Sequence, residues 1–112
     1  MPGIEEKRQF ARSLLQLPVL YSQKAPEPAK TGAGWTHNLS EEGACMELSE
    51  RLEAPSSVQL VFQTDQGGLT LSAEVIWAAA IRAKDHGVLH GVTFTDVTPD
   101  QRKALKELLR AK

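Results

Sequence analysis

Two stretches of strict alternation constrain this chain more than any other feature. From Ser57 to Gln63 (SVQLVFQ), Val58, Leu60 and Phe62 fall on one face, and from Leu69 to Ile81 the residues Leu69, Leu71, Ala73, Val75 and Trp77 do the same. Successive side chains of extended chain point to opposite faces, so period-two apolarity marks a strand with one buried side. Asp65 to Gly68 (DQGG) lies between the runs and supplies turn residues, which predicts an antiparallel hairpin. The second run is much longer than a typical strand of about five or six residues, which suits a bent strand wrapped around a barrel. An isolated hairpin is marginal in water, so other strands must cover the apolar face.

The rest of the chain offers them. Leu17 to Ser22 (LPVLYS) is a brief extended run in which Pro18 favours an edge or first position. Gln23 to Gly34, with two prolines and two glycines, reads as a long loop. Trp35 to Asn38 reads as a strand running into the turn-rich NLSEEG, and Ala44 to Leu48 resumes extended structure. Lys84 to Gly87 (KDHG) is a further turn, and Val88 to Phe94 (VLHGVTF) closes the set, with Gly91 marking a bulge or a close backbone approach. The period then changes. Thr98, Pro99, Asp100 and Gln101 form a helix start, and Ala104, Leu105, Leu108 and Leu109 make a stripe at helical spacing. The expectation is an all-β fold, a small antiparallel barrel plugged or flanked by one C-terminal helix.

Leu, Ile, Val and Phe account for 27 of 112 residues, enough apolar material for a core. No apolar stretch approaches the 18 or so residues that cross a bilayer, and the N-terminus opens on Glu5, Glu6, Lys7 and Arg8, so the expected location is cytoplasmic, without membrane insertion. Cys45 is the single cysteine, so no intrachain disulfide forms and zinc-finger spacing is absent. A net charge of −1 argues against a nucleic-acid partner, although the ends are basic and the segment from Glu41 to Glu53 is acidic.

Two constellations carry candidate chemistry. Arg8 and Arg12, four apart in KRQFAR, can point the same way, and paired guanidiniums suit phosphate oxygens and the O6/N7 edge of guanine. In Asn38-Leu39-Ser40-Glu41-Glu42-Gly43, Asn and Ser can cap local backbone while offering polar atoms outward, and Gly43 permits an approach that a Cβ would forbid. Each has a plainer reading, as solvated charge and as an ordinary strand connection. His37, His86, His90 and Cys45 lack metal-ligand spacing, so no metal is expected. Trp35 and Trp77 are either base-stacking platforms or parts of the barrel core or rim, with Trp77 packed inward at the end of its alternating run. Glu41 and Glu42 form no evident acid/base pair, and no nucleophile, base and orienting group converge, which speaks against an enzyme and against a cofactor.

The ordered set R-x-x-x-R, then [D/N]-x-S-x-x-G, together with LPVLY, AEVIW, HGVTF and a leucine-bearing terminal helix, resembles the PilZ domain family over nearly the whole chain. The resemblance implies a six-stranded antiparallel PilZ-type β-barrel, with residues 1–16 as an arm carrying the arginines, 17–97 as the barrel and 98–112 as the helix. It implies a bacterial receptor for the second messenger cyclic di-GMP, in which Arg8 and Arg12 clamp the ligand, Asn38 and Ser40 orient guanine, and Gly43 leaves room. Lys7 stands where many relatives carry another arginine, which leaves open whether one ligand or a stacked pair is bound. His37 adjoins Asn38 as either a ligand contact or a residue flanking the turn. Binding would be transmitted to a downstream protein controlling motility, adhesion or exopolysaccharide. The alternatives are a ligand-independent adaptor in pilus assembly, whose members typically lack the arginines, and a small barrel for single-stranded nucleic acid.

Overall fold

The structure is a computed structural model that describes residues 16–25, 27–80 and 87–110. Six strands precede one helix: β1 Pro18–Gln23, β2 Lys30–Leu39, β3 Gly43–Leu48, β4 Ser56–Thr64, β5 Gly67–Ala80, β6 Val88–Thr95 and α1 Pro99–Arg110. All neighbouring strands pair antiparallel, and the sheet closes on itself in the order β1-β2-β3-β6-β5-β4. Closure removes the exposed edges that an open sheet of this size would present. The inward set follows the alternation: Val58, Leu60 and Phe62 from β4 meet Leu71, Ala73 and Val75 from β5, with Val19, Met46 and Phe94 completing the wall. Phe62 and Phe94 cross edge to face, their centroids 6.0 Å apart.

The hairpin between β4 and β5 is tighter than DQGG implies. Thr64 pairs with Gly67, leaving only Asp65 and Gln66 in the loop. Gly67 takes a φ of 114°, a region costly for any residue with a Cβ.

In two places the sequence reading needs correction. The predicted loop from Gln23 to Gly34 is strand for half its length: Lys30 to Gly34 belong to β2 and pair with β1, and only 24–29 connect the two. The glycines that read as loop residues are there because the barrel wall is crowded. A Cβ on Gly32 would strike the Tyr21 ring, and one on Gly34 would strike the Glu47 carbonyl. Trp77, expected inward with Val75, points outward and is 44% exposed. A bulge between Val75 and Trp77 inserts Ile76 opposite β6, so that Val75 faces Val92 while Trp77 faces Gly91. One extra residue reverses the parity of everything beyond it. The end of the predicted strand at Ile81 and the turn residues 84–86 lie outside the described residues.

The two barrel ends are closed differently. At one, α1 buries Leu105 completely, with Leu108, Leu109 and Val97 packed around it. Thr98 and Gln101 form a reciprocal cap: the Gln101 N–H donates to Thr98 Oγ1 at 3.1 Å and the Thr98 N–H to Gln101 Oε1 at 2.8 Å. Gln101 Nε2 also donates to the Thr70 carbonyl at 2.8 Å, tying the first turn of the helix to β5. At the other end Leu52, in the connection from β3 to β4, plugs the barrel, and its N–H donates to Nε2 of the buried His90 at 3.0 Å.

Candidate functional site

The turn between β2 and β3 is built around one hydroxyl. Ser40 Oγ accepts the N–H groups of Glu42 and Gly43, both at 3.3 Å, and donates to the Gly43 carbonyl at 3.2 Å, while the Ser40 N–H reaches the same carbonyl at 2.9 Å. Ser40 is buried, and these bonds use its hydroxyl to shape the turn. Gly43 is buried against β6, where an added Cβ would collide with the Val92 carbonyl, so its missing side chain admits the neighbouring strand. Phe94 N–H, donating to the Glu42 carbonyl at 2.9 Å, locks the turn onto β6 as well.

Asn38 sits just before this turn, half-buried, between the inward Thr36 and Leu39. A register irregularity places His37 as the extra residue, since Thr36 pairs with Met46 and Asn38 with Cys45. His37 Nε2 and Glu47 Oε1 lie 3.0 Å apart on the outer surface, so the histidine is held sideways on β3. Pairing then sets a lateral row across four strands: Asn38 on β2, Cys45 on β3, Gly91 on β6 and Trp77 on β5. Buried neighbours on either side of Cys45 and of Gly91 turn this row outward. Three inter-strand steps make the row about 14 Å long. The Trp77 indole lies directly over Gly91, close enough that a Cβ there would clash with it, so the ring leans from β5 toward Asn38.

The N-terminal segment joins the barrel beside this row. The Leu17 N–H donates to Thr36 Oγ1 and the Thr36 N–H to the Leu17 carbonyl, both at 2.9 Å, fixing the chain two residues from Asn38. Arg8, Arg12 and Lys7 lie outside the described residues. Four residues lie between Arg12 and Leu17, and the five Cα steps give a reach of up to about 17 Å. The structure therefore brings together Asn38, Ser40, Gly43 and His37 and anchors Leu17 close to them.

Trp77 is the residue whose placement the sequence missed. Its signal was the Gly91 opposite, because a glycine inside a strand marks a close approach, and here the approaching group is the indole. Among the described residues no group of three side chains suited to a metal ion occurs, and no helix is long and apolar enough to cross a membrane.

The model of the PilZ domain matches residues 6–111 of this sequence. The chain belongs to the PilZ domain family. Solved PilZ structures share its fold at low identity. The PilZ domain of Escherichia coli YcgR, solved with c-di-GMP, superposes with a TM-score of 0.71 at 18% identity, covering 94% of this chain and 93% of that one. The PilZ domain of CeSA from a cellulose-synthesizing bacterium gives 0.66 at 22%, covering 89% and 95%. The Bacillus subtilis inhibitor of motility, MotI/DgrA, gives 0.69 at 18%; 99% of this chain is covered but only 56% of that protein, so the chain spans little more than half of its length. Comparison with curated proteins found no match.

Proposed function

We propose that this PilZ domain is a non-enzymatic receptor for cyclic di-GMP, a cyclic dinucleotide with two phosphodiester charges and two guanines. One observation carries the reading: Leu17 is anchored on Thr36, two residues from Asn38, beside an outward row that begins at Asn38 and ends at an exposed tryptophan, and in this reading the arginines that precede Leu17 in the chain close over that row. Guanidiniums on one side and a polar side chain with an indole on the other match the phosphates, base edges and base faces of such a ligand. The complex of the YcgR domain with c-di-GMP supports the same ligand class for this fold.

In this reading residues 1–16 are the arm, 17–97 the barrel and 98–112 the helix. Arg8 and Arg12 close over the ligand, with Lys7 as an additional point charge, and Asn38 reads a base edge. Ser40 and Gly43 hold the turn that presents Asn38, and His37, steered toward Glu47, borders the site. Binding orders the arm against the barrel, and the rearranged surface engages or releases a downstream protein in the control of motility, adhesion or exopolysaccharide. Calorimetric titration with cyclic di-GMP tests the proposal. Arg8→Ala, Arg12→Ala and Asn38→Ala are each expected to weaken binding about ten- to a hundredfold. Absence of binding by the native chain would overturn it, and a salt-sensitive complex with single-stranded oligonucleotides would favour the nucleic-acid reading instead.

A further inference from the structure

Beyond Trp77, on the side away from Gly91, the connection from β3 to β4 runs past the end of β5 and leaves a cleft of about 370 Å³ against the indole. This is within the usual range for small-molecule sites, roughly 300 to 1,000 Å³. Its lining includes Arg51, Glu53 and Trp77, all exposed, above Leu52 and Ala78. Arg51 is not a freely waving cation: its Nη2 donates to the Ala78 carbonyl at 3.2 Å, which holds the guanidinium beside the residue following Trp77. Leu52 is buried and bonded to His90, so the backbone carrying Arg51 and Glu53 is fixed from below.

We infer that this cleft reads one guanine of the ligand, an inference that rests on the cyclic di-GMP reading and adds Arg51 and Glu53 to it as specificity-determining residues. The three side chains complement the three recognisable features of that base. The indole offers a stacking surface. A guanidinium has five N–H donors in a planar fork, and with one engaged at Ala78 the others suit the O6 and N7 acceptors. A carboxylate, which only accepts, suits the N1–H and 2-amino donors on the adjacent edge. Adenine places an amino group where guanine has O6, so it would set donor against donor at Arg51 and leave Glu53 without the paired N–H groups; the same cleft therefore discriminates between the two purines. A dinucleotide ring with a base at each end can engage Asn38 with one base and this cleft with the other, on the two sides of Trp77.

The test is calorimetric titration of the full chain and its Arg51→Ala, Arg51→Lys and Glu53→Gln variants with three ligands: cyclic di-GMP, its inosine analogue lacking both 2-amino groups, and cyclic di-AMP. The native chain is expected to prefer cyclic di-GMP over both others. Arg51→Ala should weaken cyclic di-GMP binding about ten- to a hundredfold, and Arg51→Lys should not restore it, because an ammonium cannot fork across O6 and N7. Glu53→Gln should shrink the preference for guanine over hypoxanthine. If the native chain binds cyclic di-GMP while all three variants keep its affinity and its preferences, the cleft assignment falls and the receptor reading stands. If the native chain does not bind, both fall together. Circular dichroism of the variants should match the native chain, since both side chains are exposed.

Discussion

At the scale of single residues, His90 shows how hydrogen bonds fix a protonation state. The Leu52 N–H donates to Nε2 at 3.0 Å, so Nε2 carries no proton, and Nδ1, 3.0 Å from the Val88 carbonyl, carries the one that is donated there. Burial holds the imidazole pKa below its ordinary value, the Val88 bond opposes that shift, and the nearby Arg51 charge adds to it. As pH falls below about 6.5 the unfolded chain takes up a proton that the native ring resists, so this contribution to stability is complete above that pH and is lost as pH falls toward the lowered native value. Urea midpoints measured from pH 7.5 down to 5.5 should decline. In His90→Leu the decline should be shallower, starting from a stability lower by about 1 to 3 kcal/mol because the Leu52 N–H is orphaned. Identical slopes in the two proteins would assign the pH dependence elsewhere. Gly91 is a second such position. Gly91→Ala must displace the Trp77 indole, so its tryptophan emission should shift and cyclic di-GMP binding should weaken, although no motif residue is touched.

At the scale of elements, the C-terminal helix is the most readable part of the molecule. Its cap and its stripe were both present in the order Thr98, Pro99, Gln101, Leu105, because cap and stripe are local interactions within a few residues. Thr98→Ala should cost about 0.5 to 2 kcal/mol and Leu105→Ala about 2 to 5 kcal/mol in denaturant unfolding, the first through the cap and the second through a cavity at the barrel mouth. No loss from Leu105→Ala would mean that α1 contributes through its cap alone. Strand β2 was the least readable. Its first half is glycine-rich for reasons that lie on β1 and β3, in the ring of Tyr21 and the carbonyl of Glu47, and nothing local to the sequence announces those neighbours. The bulges at His37 and Ile76 were hidden for the same reason, since a bulge is defined by what pairs across the ladder.

For the molecule as a whole, the elements at one end of the barrel determine what binding can do. Leu17, the turn after Asn38 and α1 all gather there, so a ligand held at that end can alter the surface presented by three elements at once. A ligand selective for the folded state stabilises it by mass action, about 2.7 kcal/mol at a hundredfold excess over its Kd. Thermal unfolding with cyclic di-GMP at that excess should therefore rise by on the order of 10 °C, and at the same concentration Arg12→Ala should lose from about half of the rise, for a tenfold weaker ligand, to most of it, for a hundredfold weaker one. An unchanged transition in the native chain would contradict the receptor proposal. The rise should also shrink at high salt, as expected for charges near the surface.

The amino-acid order by itself determined most of the strands, the first half of β2 excepted, that a barrel and one helix would result, and that a polar turn would follow Asn38. These depend on periodicity and on turn and cap chemistry, which act between near neighbours. Only the tertiary structure decided that Ser40 and Gly43 are spent on the turn and on the approach of β6, that Trp77 faces outward, and that Arg51 lies beside it. Those outcomes depend on register and on contacts between residues far apart in sequence, where a single inserted residue in one strand sends every later side chain to the opposite face.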